Sequence, residues 1–179
     1  MATSGIDVSQ WQGTINWSQV KGKVDFALIR AGYGDTLSFP YQIDKMYEAN
    51  YKGCKQAGIP VGVYFYSYAS TAAQAQREAD SCIALLKGKQ FEYPVYYDVE
   101  EFDIFRSGNT NAIIKAFVTS WKRQGTLQVS IFTAAHFRPM LTSRYVKDTP
   151  LPLPNTVQNA ITTDHTGSGR TPLTGLAAA

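Results

Sequence analysis

The chain is organised around the stretch YPVYYDVEE, which runs from Tyr93 to Glu101. Its valines and tyrosines are β-branched or aromatic residues, which favour a buried β-strand. Side chains alternate along a strand, so Asp98 and Glu100 are predicted to point to the same side, about 6.6 Å apart at the backbone. An ordinary charged strand end running into a loop would have the same sequence. The rest of the chain must therefore decide between the two interpretations.

Strand-like and helix-like segments alternate on both sides of this stretch. The other predicted strands are Ile6–Ser9, Asp25–Ala31, Val61–Tyr66 and Gln128–Phe132. Helices are predicted after Asn16 as a cap, over Asp44–Gln56, from Ser70 or Thr71 to Gly88, from Asn109 or Thr110 to Gly125, and over Ala134–Leu141. Five successive βα units indicate a parallel sheet with right-handed crossovers. No glycine-rich phosphate fingerprint follows the first strand, which favours an α/β barrel over a dinucleotide-binding sheet.

Polar side chains occur at the C-terminal ends of several predicted strands, where barrels carry their functional groups. Asp7, Arg30, Tyr66, Asp98 and Glu100 all lie at such ends. Glycoside cleavage needs one protonated carboxyl group and a second group that handles the developing positive charge. Placing Asp98 beside Glu100 raises the pKa of one of them, because like charges resist joint ionisation. The predicted rim therefore favours carboxylate chemistry on a sugar.

Composition and motifs exclude several other classes of function. With 44% hydrophobic residues, 13% aromatic residues and a net charge of +3, the chain fits one globular domain, and it has no Lys/Arg run typical of nucleic-acid binding. No apolar run approaches the ~20 residues that cross a membrane. His136 and His165 lie in no zinc motif, so no metal and no cofactor are predicted. Cys54 and Cys82 are better explained as buried thiols than as a disulfide, which would require neighbouring helices.

Four blocks of sequence resemble glycoside hydrolase family 25, the muramidases that include bacterial and phage cell-wall lysozymes. They are GIDVSQWQG at Gly5–Gly13, FALIRAGYG at Phe26–Gly34, GVYFY at Gly62–Tyr66 and YDVE at Tyr97–Glu100. The resemblance implies a flattened TIM-like (β/α) barrel, with about five βα units followed by short terminal strands, in a single catalytic domain over residues 1–179. It also implies hydrolysis of the β-1,4 bond from N-acetylmuramic acid to N-acetylglucosamine, with the substrate's 2-acetamido group as internal nucleophile.

The same resemblance implies a role for individual residues. Glu100 corresponds to the general acid, Asp98 to the partner that orients the acetamido group, and Asp7 to the first-strand acid on the cleft floor. The candidate substrate-binding residues are Tyr64, Tyr66, Trp11, Arg30, Tyr97 and Phe132. Arg30 is expected to be a charge partner of the acids, and Trp11 either to stack on sugar or to pack under the barrel. Phe132 replaces the usual tyrosine of the fifth strand, and Glu101 and Asp103 are expected to be solvated loop acids.

The resemblance weakens from Pro150 onwards. The segment PLPLP at Pro150–Pro154 cannot form a central strand, and Asp164 is the only acid after Asp148, so the family's last site acid has no match. The tail 150–179 is therefore atypical. We expect a monomer that acts on bacterial cell-wall peptidoglycan, as a secreted protein or a phage endolysin. A saccharide-binding barrel without turnover, or a scaffold or inhibitor barrel whose acids form structural ion pairs, remain alternatives.

Overall fold

The computed structural model of the protein describes residues 4–124 and 128–132. Five parallel strands form one sheet in the order of the chain: β1 Gly5–Val8, β2 Phe26–Tyr33, β3 Val61–Tyr66, β4 Val95–Asp98 and β5 Val129–Phe132. The helices are α1 Trp17–Val20, α2 Tyr47–Ala57, α3 Ala72–Leu86, α4 Phe102–Arg106 and α5 Thr110–Gln124. Two short 3-10 turns, Gln10–Gln12 and Pro40–Gln42, follow β1 and β2. The βα alternation predicted from the sequence is therefore present.

The two faces of the sheet are both buried but differ in what covers them. Alternate residues such as Ile29, Val63 and Val95 belong to the main core, which also contains the apolar residues of α2, α3 and α5. The opposite side chains form a smaller inner cluster of Phe26, Leu28, Tyr64, Tyr96 and Phe132. This burial on both sides explains why β2 and β3 are almost continuously apolar.

Two helix ends follow the capping signals of the sequence. Thr71 caps α3 through a capping box with Gln74, as the sequence predicts. Gly58 ends α2 in the left-handed conformation with φ of 69°, which a residue without Cβ adopts at low cost. Asn16 occupies the predicted N-cap position of α1, but its side chain makes no capping hydrogen bond.

Several element boundaries differ from the prediction. Strand β2 continues through Gly32 to Tyr33, where a Cβ on Gly32 would lie 2.9 Å from the carbonyl oxygen of Gln42. Helix α2 begins at Tyr47, three residues after the predicted start at Asp44. Helix α4 was not predicted. The predicted stop at Gly125, the predicted helix Ala134–Leu141 and the atypical tail 150–179 lie outside the described residues.

Both cysteines are buried free thiols, as the sequence analysis favoured. Cys54 lies on α2 and Cys82 on α3, and burial raises the pKa of Cys54 to about 12 and that of Cys82 further. Neither thiol is therefore ionised near neutral pH. In the part of the chain that the structure covers, no helix has the length and apolar character needed to cross a membrane.

Candidate active site

The C-terminal end of β4 carries the two predicted catalytic carboxyls. Asp98 is the last residue of the strand, is fully buried, and lies in register with Tyr66 of β3 and Phe132 of β5. The strand ends there, so the prediction that Asp98 and Glu100 alternate within one strand is wrong. Glu100 instead follows in the loop between β4 and α4. The two groups still interact, because the charge of Glu100 raises the pKa of Asp98.

Electrostatics at this position favour retention of a proton. Burial raises the pKa of Asp98 well above its usual range, and repulsion from Glu100 and Asp7 adds to the effect, while Arg30 opposes it. Burial, together with the charge of Glu101, raises the pKa of Glu100 to about 7. The Asp98–Glu100 pair therefore keeps at least one proton near neutral pH, which is what a general acid requires.

Asp7 and Tyr64 join this carboxyl pair from neighbouring strands. Asp7 lies on β1, and a hydrogen bond with Tyr64 of β3 contributes to raising the pKa of that tyrosine, after burial and the Asp7 charge itself. The charge of Asp98 acts on Tyr64 in the same direction, and that of Arg30 in the opposite one. The structure therefore brings together Asp7, Tyr64 and Asp98, three residues predicted from separate parts of the sequence.

Arg30 has a different ion-pair partner from the one expected. Its Nε donates to Oδ2 of Asp44 at 2.8 Å, and both side chains are buried. Asp44 also accepts hydrogen bonds from the backbone N–H groups of Gln10 and Met46, each at 2.9 Å. Asp44 is not among the site residues predicted from the sequence, although an acid immediately before a helix often bonds the backbone two residues on. Nη2 of Arg30 is buried and has no hydrogen-bond partner within the described ranges.

Glu101 is a second residue that the sequence analysis misjudged. It is half-buried, and its Oε1 accepts a 2.9 Å hydrogen bond from the hydroxyl of Tyr66. The expectation of a solvated loop acid is therefore wrong for Glu101, whereas Asp103 is exposed on α4. Because Glu101 follows Glu100 directly and its charge raises the pKa of that residue, it belongs to the electrostatic environment of the site.

The remaining predicted substrate-binding residues divide into three cases. Tyr97 points to the helical layer, so its proposed sugar contact is wrong. It stacks on Phe117 at 3.7 Å between ring centroids, and its hydroxyl donates to Glu78 at 2.6 Å. Phe132 is buried in the inner cluster. Trp11 is 70% exposed, which excludes packing under the barrel and leaves its ring available to a ligand.

Within residues 4–124 and 128–132, no three His, Cys, Asp or Glu side chains are arranged to hold a metal ion. The site is instead a group of carboxyls with an arginine and two tyrosines, on the edge where β1 to β4 end. The sequence profile of glycosyl hydrolases family 25 matches residues 6–158, which include all of these site residues. This chain belongs to glycosyl hydrolases family 25.

Individual family 25 proteins are similar over parts of the chain. Lysozyme M1 from Streptomyces globisporus is 44% identical over 64 residues, which make up 35% of this chain and 20% of that protein. The modular autolysin LytC from Streptococcus pneumoniae has a TM-score of 0.67 at 29% identity, covering 76% of this chain and 33% of LytC. The catalytic domain of endolysin ply40 from bacteriophage P40 of Listeria monocytogenes has a TM-score of 0.67 at 25% identity, and the match covers 78% of this chain and 68% of that domain.

These similarities confirm the family and the fold predicted from the sequence. The parallel five-stranded sheet and its helical layer are the part of the flattened β/α barrel that the described residues form. The chain spans less than half the length of each curated relative that it matches.

Proposed function

We propose that the chain is a lysozyme-type muramidase that hydrolyses the β-1,4 bond from N-acetylmuramic acid to N-acetylglucosamine in peptidoglycan. The observation that carries the proposal is the placement of the buried Asp98 and the half-buried Glu100 next to Asp7, where burial and repulsion between neighbouring carboxylates raise the pKa of both Asp98 and Glu100. Membership of family 25 and the similarity to proteins named lysozyme and endolysin support the same substrate class.

The proposed reaction uses Glu100 as the acid and the substrate as the nucleophile. Glu100 gives its proton to the glycosidic oxygen as the bond from that oxygen to C1 of N-acetylmuramic acid breaks. The carbonyl oxygen of the 2-acetamido group forms a bond to C1, and the Asp98 carboxylate stabilises the positive charge that develops on the acetamido nitrogen. Water then attacks C1, the Glu100 carboxylate accepts a proton from that water, and the acetamido group is restored.

Neighbouring groups support these two roles. Burial and the charges of Glu100 and Asp7 raise the pKa of Asp98, and the positive charge of Arg30 opposes that rise. The proposed step needs the proton of the pair on Glu100 and Asp98 in its anionic form. Glu101 acts on Glu100 in the opposite direction and favours its protonated form. Asp7 and Tyr64 lie on the inner face next to Asp98 and are proposed to contact the sugar that carries the acetamido group. Tyr66 and Trp11 are proposed to line the cleft further out.

The chain as a whole is proposed to act on the bacterial cell wall, outside the cell that makes it or after release by a phage. Residues 1–179 are proposed to form one catalytic domain, because the family match covers residues 6–158. A monomer is the proposed active form.

Digestion of purified peptidoglycan tests the proposal. The protein should release new reducing ends, and borohydride reduction of the products should yield muramitol. Glu100→Gln should lower the rate by about 10²- to 10⁴-fold, the usual contribution of a general acid, while Asp103→Asn serves as a control for an exposed acid on α4. Glucosaminitol instead of muramitol would refute the assigned bond. Binding to peptidoglycan with no cleavage would select the saccharide-binding barrel.

De-N-acetylated peptidoglycan tests the assistance by the substrate separately. A free 2-amino group has no carbonyl oxygen to attack C1, so cleavage at such muramic acid residues should fall sharply. Undiminished cleavage would contradict the proposed role of the acetamido group and favour a carboxylate nucleophile.

A further inference from the structure

The loop after β2, residues 35–43, exposes three large apolar side chains within five positions. Leu37 is 59% exposed, Phe39 47% and Tyr41 71%, and the rings of Phe39 and Tyr41 lie 5.9 Å apart between centroids. Single exposed apolar residues are common on protein surfaces, but a cluster with rings in contact is typical of an interaction site. We call residues 35–43 the aromatic loop.

The aromatic loop is held in a defined conformation. Asp35 accepts a hydrogen bond from the backbone N–H of Ser38 at 3.1 Å and forms an ion pair with Arg77 of α3 at 3.2 Å. The hydroxyl of Ser81, also on α3, accepts from the backbone N–H of Leu37 at 3.3 Å. These contacts fix the segment that presents the apolar side chains. Their exposure is therefore a property of the folded loop.

The other end of the loop is attached to the edge of the sheet that carries the candidate active site. Ile43 forms an antiparallel bridge with Gly32, and Gly32 leaves no room for a Cβ beside the Gln42 carbonyl. Asp44, the next residue, pairs with Arg30 and accepts the N–H of Gln10, the neighbour of the exposed Trp11. The aromatic loop is thus continuous with the turn after β1 and with the arginine of the site.

The chemistry of the loop matches a sugar ring. Residues 36–43 contain hydroxyl, amide, aliphatic and aromatic side chains and no charged one. Flat rings with a polar handle suit a pyranose, which has apolar C–H faces and peripheral hydroxyl groups. An anionic polymer would need basic side chains on this surface, and a charged peptide would need side chains of the opposite charge. Residues 36–43 supply neither.

From these observations we propose that the aromatic loop is a binding surface for a further sugar ring of the glycan strand, beyond the rings that flank the scissile bond. Phe39 and Tyr41 stack on the sugar, and Asp35 and Ser81 hold the loop in place. This inference rests on the proposed function for the identity of the polymer but not on turnover.

Sedimentation with insoluble peptidoglycan tests the surface without interference from cleavage. The parent protein is Glu100→Gln, and the test variant adds Phe39→Ser and Tyr41→Ser. The ring-retaining control instead adds Phe39→Tyr and Tyr41→Phe. Loss of two stacked rings should weaken binding about tenfold, and the control should bind like the parent. All three should have the same melting temperature, because the replaced side chains are exposed.

The outcomes separate this inference from the proposed function. Equal binding by the serine variant and the parent would overturn the role of the loop, whether or not the unmodified protein cleaves peptidoglycan. Weaker binding by the serine variant would support it even if no reducing ends were released. The measurement is repeated on glycan strands from which an amidase has removed the peptide stems. If the difference between the variants disappears there, the loop binds the peptide and the sugar assignment is wrong.

Discussion

Replacing Glu100 by glutamine is expected to make the folded protein more stable, and increasingly so as the pH rises. In the folded state the pKa of Glu100 is about 7, against an ordinary value of 4.5. The wild-type folded state therefore binds more protons than the unfolded chain between these values, and its stability falls as the pH rises through that window. Glutamine has no such penalty because it carries no charge.

The magnitude follows from the two pKa values. Their difference corresponds to about 3 kcal/mol, fully present above pH 7 and absent below pH 4.5. The change also removes a like charge beside Asp98, which acts in the same direction. For a chain of 179 residues, about 3 kcal/mol corresponds to a rise in melting temperature of about 6–12 °C at pH 8.

Urea unfolding of both proteins at pH 4 and at pH 8 measures the effect. The variant should exceed the wild type in free energy of unfolding at pH 8 and equal it at pH 4. Asp103→Asn provides the control, since this acid is exposed and should change stability little at either pH. An offset of the same size at both pH values would refute the argument, because it would arise from packing and not from ionisation.

Four further variants test other contacts. Glu101→Gln should move the basic limb of the activity profile to lower pH, because the Glu101 charge raises the pKa of Glu100; an unmoved limb would contradict this. Asp44→Ala should cost about 3–5 kcal/mol in urea unfolding, since it leaves Arg30 buried without its ion-pair partner. Gly53→Ala should lower the free energy of unfolding by about 1–3 kcal/mol, because the new methyl group would lie 2.0 Å from the Trp17 ring. An unchanged free energy of unfolding would show that the ring can move aside. Tyr97→Phe should lower the free energy of unfolding by about 1–3 kcal/mol, because the hydrogen bond to Glu78 is lost. An unchanged midpoint of urea unfolding would argue against that hydrogen bond.

Much of the fold could be predicted because each strand and helix carries its own local signal. The continuous apolar runs of β2 and β3 follow from burial on both faces, and the Thr71–Gln74 capping box marked the start of α3. Local signals fail where a distant residue decides the geometry. Strand β2 passes the expected stop at Gly32 because the returning Gln42 packs against that glycine.

In the candidate site, too, residues with a local sequence signal could be predicted, whereas contacts between distant residues could not. Asp7, Asp98 and Glu100 could be named from short motifs, since Asp7 lies one residue before the end of β1, Asp98 ends β4 and Glu100 follows it. The pairing of Arg30 with Asp44 and of Tyr66 with Glu101 joins residues 14 and 35 positions apart, and no periodicity encodes such contacts. Tyr97 was misassigned although alternation along β4 places it on the face opposite Asp98. That face turns to the helices, where Glu78 accepts a hydrogen bond from the Tyr97 hydroxyl.

The strands of the sheet lie side by side in the same order as they occur in the chain, and this order matters for synthesis on the ribosome. Each new strand finds its neighbour already made, so the sheet can grow by one βα unit at a time from the N-terminus, without waiting for a distant partner. The costly carboxyls Asp98 and Glu100 arrive with the fourth unit, after Asp7 and Arg30 are in place. Strands β1 to β3 and helices α2 and α3 are therefore made before Asp98 and Glu100, whereas α5 and β5, which complete the packing around β4, are made after them.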